Sequence, residues 1–421
     1  MNRPEQKGYG ISKKEVMEAW RRVKANRGAA GVDQETIKGF ESNLKDNLYK
    51  IWNRMTSGSY FPPPVLAVEI PKDDGGKRKL GIPTVGDRVA QMVVKMQLEP
   101  RVEPLFHPDS YGYRPAKSAH DAIGRARQRC WDYDWVLDLD IRGFFDNIPH
   151  DLMMKAVRKH TGEKWEELYI ERWLKAPAQD EQGNLTEREK GTPQGGVISP
   201  LLANLFLHYA FDGWMVKNHP ETPFERYADD VIVHGQSLAQ MQRMKEEIAQ
   251  RLAECGLELH PEKTKIVYCR DSNRRKGHEH EKFIFLGYGF QAREAKSSRG
   301  RFVSFLPAIS EKAIKAIREE IKTWKAHLRS DTSLEELSQK YNPIVRGWVQ
   351  YYGRYYRSRL AWVFAPLEGV LIRWACRKYK KLRNHYGRAR RWLRKISQLM
   401  PGLFAHWQIT VEKSVSSMGA V

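Results

Sequence analysis

Two segments of the sequence place acidic side chains directly after strand-forming residues, a pattern that could do chemistry. One runs from Val136 to Asp146 and the other from Arg226 to Val233. Carboxylates crowded into a partly buried site repel one another unless a cation compensates them, and their oxygens suit Mg²⁺. Two such ions, ~3.5–4 Å apart, can stabilise both the attacking and the leaving oxygen of an in-line displacement at phosphorus. The acids concerned are Asp138, Asp140, Asp146, Asp229 and Asp230.

A simpler interpretation of the Asp229-Asp230 dipeptide is a turn or a helix cap, for which aspartate is well suited. Two features of the sequence argue against it. The flanking residues favour strands, and a second acidic strand lies upstream at Asp140. The pattern therefore predicts a metal-dependent phosphoryl-transfer site built from two strand ends.

The elements that must position these acids form a mixed α+β pattern. Trp135 to Asp140 is predicted as a strand, and Arg226 to His234 as two short strands that meet at Asp229-Asp230. Further strands are predicted at 65–70 and 78–82, which would form a hairpin, and near 264–269, 283–290 and 301–306. Helices are predicted at 13–26, 35–57, 87–104, 118–131, 150–175, 199–217 and 238–255. From Ser310 onward the pattern is helical, with breaks near Ser330, Pro343 and Pro366.

The chain is strongly basic, with 72 Lys and Arg against 51 Asp and Glu and a net charge of +21. Such an excess indicates a polyanionic partner, usually nucleic acid. Residues 340–395, here called the basic segment, carry 16 basic side chains, a single acid at Glu368, and aromatic residues throughout. Because cations neutralise phosphates and aromatic rings stack on exposed bases, this segment is expected to bind RNA. The alternative is the solvated face of a helical bundle, but such a face usually mixes both signs of charge.

Composition excludes several classes of protein. With 41% hydrophobic residues, the chain is not largely disordered. Its four cysteines have no metal-binding spacing, which argues against a zinc ribbon or a disulfide framework. The N-terminus is polar, and the most apolar stretch, Val197 to Phe211, is short and contains polar residues. We therefore expect a soluble, cytoplasmic protein with no membrane partner.

Further short blocks flank the acidic strands, and as an ordered set they resemble the motifs of reverse transcriptases. Tyr227-Ala-Asp-Asp230 resembles the catalytic box, and Gly191 to Gly196 followed by Ser199 to Asn204 is the most specific block. The motif from Gly28 to Asp33 and the C-terminal motif from Gly347 to Tyr352 narrow the resemblance to bacterial group II intron-encoded reverse transcriptase/maturases. The remaining blocks are Ile70 to Lys72, Arg78 to Arg88, Tyr111 to Pro115, Asp140 to Asp146, Leu259 to Thr264 and Phe285 to Tyr288.

The resemblance implies an α+β, right-hand polymerase fold with an antiparallel palm sheet, followed by an all-helical basic thumb. It predicts an N-terminal helical extension at 1–40, reverse transcriptase fingers and palm at 41–306, a thumb or maturase domain at 307–400, and a tail at 401–421. Many family members continue into an endonuclease with cysteine pairs. This sequence has no cysteine pair, so we expect it to lack that endonuclease and to need a primer made elsewhere.

The resemblance also assigns roles to the matching positions. Asp140, Asp229 and Asp230 would be the catalytic carboxylates, and Asp140, Asp229 and the Ile141 backbone would bind metal. Phe145 would be the aromatic gate that blocks a ribose 2′-OH. The residues expected to contact the deoxynucleotide are Lys72, Arg78, Arg114, Ile141, Phe145, Gln194 and Lys263. The candidate RNA-binding residues of the basic segment are Arg346, Arg354, Arg373, Arg377, Lys378, Lys380, Lys381 and Arg383.

The expected cofactor is a pair of Mg²⁺ ions, which Mn²⁺ can replace. The expected partners are a group II intron RNA, an RNA template with a DNA primer, deoxynucleotides and target DNA, with a dimer left open. Lys72 and Arg78 could instead be ordinary hairpin charges, and Phe145 an ordinary core residue. Two other functions stay open: an intron-independent reverse transcriptase in defence or DNA repair, and an RNA-splicing chaperone with little polymerase activity.

Overall fold

The structure is a computed structural model of the chain, and it describes residues 8–71, 76–298 and 300–409. The chain folds into two compact units. Unit one comprises Met1–Ser118 and Leu137–Lys265, and unit two comprises Ala119–Val136 and Ile266–Val421. The fold belongs to the mixed α+β class, as the sequence predicts.

The elements of the first half begin with helices and alternate with short strands from residue 65 onward. Helices α1 to α8 are Lys13–Ala25, Ile37–Ser42, Leu44–Thr56, Val85–Val102, Ala119–Asp132, Phe144–Asn147, His150–Arg158 and Lys164–Lys175. Strands β1 to β5 are Val65–Pro71, Lys77–Ile82, Trp135–Asp140, Ala178–Gln179 and Leu185–Thr186.

The second half contains the remaining strands and ends in helices. Helices α9 to α16 are Ser199–Leu207, Gly213–Asn218, Leu238–Glu254, Glu311–Thr323, Leu334–Tyr352, Leu360–Val363, Ala365–Lys378 and Tyr386–Leu399, and a π-helix, His208–Asp212, joins α9 to α10. Strands β6 to β11 are Phe224–Tyr227, Asp230–Gly235, Lys265–Tyr268, Lys282–Phe285, Tyr288–Ser297 and Gly300–Ile309.

The strands form three sheets among the described residues. Sheet A, in the order β2-β1-β4-β5, contains the predicted hairpin, with Leu66 opposite Ile82. Sheet B has the order β6-β7-β3-β8, so the two acid-bearing segments are neighbours in one sheet. Its β6–β7 hairpin is antiparallel, with Phe224 opposite Val233. Sheet C has the order β11-β10-β9. Sheet B is therefore the element that positions the acids.

Helix α4 is buried along most of its length in unit one, and Thr84 caps its start by accepting a hydrogen bond from the Asp87 backbone. Helix α1 packs on α4 through a buried face that includes Val16 and Trp20. The glycine motif that follows α1 reaches the same cap, because a Cβ on Gly31 would lie 2.7 Å from the Thr84 backbone nitrogen. The glycine motif thus allows the N-terminal segment that contains α1 to pack closely on α4.

Unit two has a hydrophobic core formed mainly by helices α12, α13, α15 and α16. The last described residues belong to this core, since Phe404 and Trp407 are buried in it and Trp407 Nε1 donates to Glu368 Oε1 at 2.6 Å. Residues up to 409, which we expected to form part of a tail, therefore pack with the helices of unit two. Among the described residues, no helix is both long and apolar enough to cross a membrane.

Three of the predicted helices are interrupted. The helix expected over 35–57 divides at Asn43, whose backbone leaves helical geometry (φ −124°, ψ 42°). The helix expected over 150–175 divides between α7 and α8, a gap that contains Gly162. The helix expected over 199–217 contains the π-helix His208–Asp212. Asparagine and glycine favour helix ends. The π-helix instead accompanies tertiary contacts of its side chains, which are described below.

One predicted helix break is wrong. Helix α13 continues through Pro343, although proline removes a backbone hydrogen bond within a helix. Tyr341 and Val345, on either side, are buried in the core of unit two. We infer that this packing offsets the lost hydrogen bond. The break expected near Pro366 is present, because Phe364 separates α14 from α15.

Candidate active site

The tip of the β6–β7 hairpin is a two-residue turn. Tyr227 pairs with Asp230 across the hairpin, so the turn consists of Ala228 and Asp229. We predicted strands that meet at Asp229-Asp230, and the turn lies one residue earlier. Ala228 adopts a left-handed backbone conformation with φ +56°, which is uncommon for a residue with a side chain. Asp229 is half-buried and Asp230 is exposed.

Strand β3, next to β7 in sheet B, carries Asp138 and Asp140 on one face, because side chains alternate along a strand. The pKa of Asp138 is raised to about 7, first by burial and then by the negative charges of Asp230 and Asp140, while Lys265 opposes the shift. The two acids that raise the pKa of Asp138 therefore come one from each of the acid-bearing segments. Sheet B thus concentrates negative charge at the ends of β3 and β7.

Replacing Asp138 with asparagine is expected to raise the Tm of the metal-free protein at pH 8, by roughly 2–4 °C or more. Because the pKa of Asp138 is higher in the folded than in the unfolded chain, the folded state binds more protons between about pH 4 and 7, and the free energy of unfolding falls as the pH rises through that window. Asparagine does not ionise and avoids this loss. Thermal unfolding in EDTA at pH 5 and pH 8 measures the effect, and an equal shift at both pH values would contradict it.

The backbone around Asp140 is fixed by the segment that carries Lys263. The Asp140 carbonyl accepts a hydrogen bond from the His260 N–H at 2.7 Å, and the Asp140 N–H donates to Thr264 Oγ1 at 3.3 Å. Lys263 Nζ lies 4.0 Å from Asp140 Oδ2. Ile141 is buried and forms an antiparallel bridge to the same segment. Two of the predicted nucleotide contacts, Lys263 and Ile141, therefore lie beside Asp140.

Phe145 lies in the short helix α6, and the loop that contains Gln194 packs against it. The Phe145 carbonyl accepts a hydrogen bond from the Thr192 N–H at 2.8 Å, and a Cβ on Gly191 would lie 2.7 Å from the same carbonyl oxygen. The Phe145 side chain is 6% exposed. The Gln194 carbonyl accepts a hydrogen bond from the Gly81 N–H at 2.9 Å. The glycine-rich loop therefore connects α6 to the hairpin of sheet A.

The hairpin of sheet A contains the two predicted phosphate contacts. The backbone of Arg78 lies in β2, opposite Ile70 of β1. The side chain of Arg78 and the whole of Lys72 lie outside the described part of the chain. Their contact with a nucleotide stays a prediction.

Arg114, a further predicted nucleotide contact, is used for internal packing. Its side chain is 7% exposed and pairs with Glu103 at 2.8 Å. Its Nη1 donates to the carbonyls of His107 and Ser110, both at 2.7 Å. These contacts commit the guanidinium to the chain between 103 and 114. The role of Arg114 in binding a nucleotide stays a prediction.

The donor set suits a hard divalent cation. Asp140, Asp229 and Asp230 offer only oxygen ligands, and the raised pKa of Asp138 marks negative charge that a cation would relieve. Within the described residues, no three His, Cys, Asp or Glu side chains already lie close enough together to hold an ion.

The predicted RNA-binding residues lie in unit two, and one of them differs from the rest. Lys378 is half-buried, and its Nζ donates to the carbonyls of Thr332 at 2.7 Å and Ser330 at 3.3 Å. Its ammonium therefore helps to hold the start of α13 against α15. The exposed candidates are Arg346, Arg354, Arg373, Arg377, Lys380, Lys381 and Arg383.

Helix α16 presents a basic surface that our candidate residues omitted. Its Ala389 and Leu393 are buried and Trp392 packs partly against the core, whereas its basic positions face solvent. The helical period separates the two sets, so this signal was present in the sequence. The exposed cations are Arg388, Arg390, Arg391, Arg394 and Lys395.

A sheet that joins a Tyr-Ala-Asp-Asp hairpin to a second acidic strand has the form of a polymerase site, and comparisons with known proteins identify its kind. Residues 70–290, more than half of the chain, match the family model described as reverse transcriptase (RNA-dependent DNA polymerase). Residues 314–395 match the model described as group II intron, maturase-specific domain. The chain therefore belongs to the reverse transcriptase family and is an RNA-directed DNA polymerase that carries a group II intron maturase domain. Members of this family generally use divalent metals.

Individual relatives support the same assignment. Protein YkfC of Escherichia coli (strain K12) is 32% identical over 332 residues, which cover 69% of this chain and 84% of YkfC. Group II intron-encoded protein LtrA of Lactococcus lactis subsp. cremoris is 35% identical over 193 residues, or 45% of this chain and 32% of LtrA. Retron Ec48 reverse transcriptase of Escherichia coli is 28% identical over 213 residues, or 48% of each chain. The resemblance inferred from the motifs is confirmed, although the chain spans only about a third of LtrA.

Proposed function

We propose that this protein extends a DNA primer on an RNA template at the end of sheet B, and that unit two binds a group II intron RNA. The observation that carries the first part is the position of Asp140 in a strand that adjoins the Asp229-Asp230 hairpin. The shifted pKa of Asp138 supports it, because Asp140 and Asp230 are both close enough to act on that group. Two neighbouring strands that carry carboxylates can supply the oxygen ligands that a pair of Mg²⁺ ions needs.

In the proposed reaction, the primer 3′-oxygen forms a bond to the α-phosphorus of a deoxynucleoside triphosphate. The bond from that phosphorus to the bridging oxygen breaks, pyrophosphate leaves, and the hydroxyl proton passes to solvent. Asp140, Asp229, Asp230 and the Ile141 carbonyl would hold two Mg²⁺ ions, or Mn²⁺ in their place. The ions would supply charge stabilisation on the phosphate oxygens. Lys263, 4.0 Å from Asp140 Oδ2, would restrict that carboxylate to one orientation.

Binding of the triphosphate would use groups on both sides of the glycine-rich loop. Lys72 and Arg78 would attract the phosphates that leave with negative charge. Gln194, whose carbonyl is tied to β2, would contribute to the nucleotide pocket. Phe145 would limit the space beside the ribose.

The purified protein, an annealed RNA template and DNA primer, and Mg²⁺ provide the direct test. We expect full-length product with dNTPs, little or none with rNTPs, and at least ~10³-fold less product from Asp140→Asn, which keeps the size of the side chain but removes its charge. Gel-resolved primer extension measures all three. If the wild-type protein binds the RNA tightly but gives no product, a splicing chaperone becomes the better account.

Replacing Phe145 with alanine is expected to admit ribonucleotides, because the ring would no longer occupy the space of a 2′-hydroxyl. The preference for dNTP over rNTP, as a ratio of kcat/KM, should fall by about 100-fold or more. Phe144→Ala is the matched control, since Phe144 is the adjacent phenylalanine and is also buried. Unchanged selectivity in a folded Phe145→Ala protein would remove the gate assignment, and a similar loss in Phe144→Ala would show a packing effect.

The proposal for intron RNA depends on the charge of unit two. The basic segment has one acid against 16 cations, and most of the candidate residues are exposed on it, as are five further cations of α16. The maturase-specific match at 314–395 favours an intron-linked function over an intron-independent one. Binding of target DNA, dimerisation and a cytoplasmic location stay predictions from the sequence.

A further inference from the structure

The side chain of Arg226 connects three segments of unit one at the base of the hairpin turn. Arg226 is 0% exposed, and its Nε and Nη2 donate to the two Asp212 carboxylate oxygens at 2.7 and 2.6 Å. Its Nη1 donates to Asn204 Oδ1 at 2.9 Å and to the Ala228 carbonyl at 3.1 Å. Asp212 and Asn204 are each 1% exposed. The guanidinium thus holds the backbone of the turn residue that directly precedes Asp229.

The π-helix explains how Asn204 and Asp212 both reach Arg226. They are eight residues apart, and at 3.6 residues per turn eight residues overshoot two full turns of an α-helix by about 80°. In the π-helix that ends at Asp212, hydrogen bonds run over one more residue, so each turn takes more residues. The wider turn removes most of the overshoot and places both side chains on the same face. The irregularity that interrupts the predicted helix therefore completes the anchor of Arg226.

A second contact of Asn204 acts on the other side of the turn. Asn204 Nδ2 donates to the Gly112 carbonyl at 2.7 Å. Gly112 lies so close to the turn that a Cβ there would be 2.4 Å from the Ala228 nitrogen. Arg226 therefore holds Ala228 at its carbonyl, and the backbone of Gly112 lies closely against its nitrogen. These contacts account for its left-handed conformation, which an alanine would not otherwise favour.

We propose that Arg226, anchored by Asp212 and Asn204, is a positioning residue that fixes the turn at 227–230 in the conformation from which Asp229 and Asp230 bind metal. This inference rests on the proposed role of those two aspartates. Arg226 itself lies on the opposite face of the hairpin from Asp230, because it pairs with Val231 while Asp230 pairs with Tyr227. It therefore acts through the backbone rather than on substrate.

The test compares Arg226→Lys with Asn204→Ala and with a matched control, Arg101→Lys. Lysine keeps a positive charge beside Asp212 but cannot make the same set of directed bonds. Arg101 also pairs with a buried carboxylate, that of Glu166, at 2.5 Å, but it lies on α4 rather than on the β6–β7 hairpin. Each variant is measured for Tm, for binding of an RNA–DNA primer-template by fluorescence anisotropy, and for the single-turnover rate of one nucleotide addition across a range of Mg²⁺ concentrations.

In Arg226→Lys we expect primer-template binding to stay within about twofold, the maximal rate to fall about 100-fold, as for a small misplacement of reacting groups, and the half-saturating Mg²⁺ concentration to rise. Asn204→Ala should change the rate and the Mg²⁺ response in the same direction but less. If Arg226→Lys does not fold, Asn204→Ala alone tests the positioning role. Arg101→Lys should change only the Tm. Unchanged rates and Mg²⁺ responses in the folded variants would overturn the positioning role. If Asp140→Asn also kept full activity, the proposed site itself would be wrong.

Discussion

Replacing Asp229 with alanine is expected to reduce cDNA synthesis by at least ~10³-fold while changing the binding of intron RNA by less than about twofold. The first effect follows because Asp229 lies in the turn between β6 and β7 and would be a metal ligand. The second follows because the predicted RNA-binding residues lie in unit two, whereas Asp229 belongs to unit one. Primer extension and filter binding to intron RNA, made on the same preparation, measure the two effects.

Asp151→Ala is the matched control for this experiment, because Asp151 is an exposed acid of unit one in the first turn of α7. It should leave both activities unchanged. If Asp229→Ala keeps its polymerase activity, the assignment of the catalytic carboxylates is wrong. If it folds but loses RNA binding as well, polymerisation and intron binding are not separable on this chain.

Neutralising four exposed cations of the basic segment is expected to weaken intron RNA binding about 10²-fold or more at 0.1 M salt. Each phosphate contact changes the slope of log K against log salt by roughly 0.7–0.9, so the slope should decrease in magnitude by about 3. Lys378 is left unchanged, because its ammonium is bonded to the Thr332 carbonyl and its loss would alter packing. The residues replaced by glutamine are Arg377, Lys380, Lys381 and Arg383.

The control for this variant removes the same amount of charge from unit one. It replaces four exposed cations of helices α7, α8, α10 and α11 with glutamine, and it should leave the salt dependence almost unchanged. An unchanged slope in the variant of the basic segment would mean that this part of the segment is a solvated face. An equal change in both would mean that net charge, rather than a defined surface, governs binding. The control residues are Lys155, Lys164, Lys217 and Arg243.

Much of the site was predictable from the sequence because its signals are local. Trp135–Asp140 forms a strand with the predicted ends, since its alternating apolar residues stop at an acid. The hairpin that carries Arg78 follows from two alternating runs around a glycine turn. The charge of the basic segment was evident from a count of its Lys, Arg, Asp and Glu residues. Local pattern and composition therefore determined the fold class, the acid-bearing strands and the nature of the partner.

The uses of individual charged side chains depended on contacts between distant parts of the chain. Arg114 and Lys378 were both predicted as ligand-binding cations, and the structure adds that each is bonded to backbone carbonyls. The pKa of Asp138 depends on Asp230, which only the pairing of strands in sheet B brings near. No local pattern encodes these proximities.

The sequence by itself determined that this chain is a reverse transcriptase with a basic helical end, because the motifs and the charge are properties of short segments. The tertiary structure decided how the turn at 227–230 is held. The π-helix aligns Asp212 with Asn204, and both then meet Arg226 in the interior. A buried guanidinium needs partners for its charge and its donors, and only the folded chain brings together an acid, an amide and a turn carbonyl to supply them.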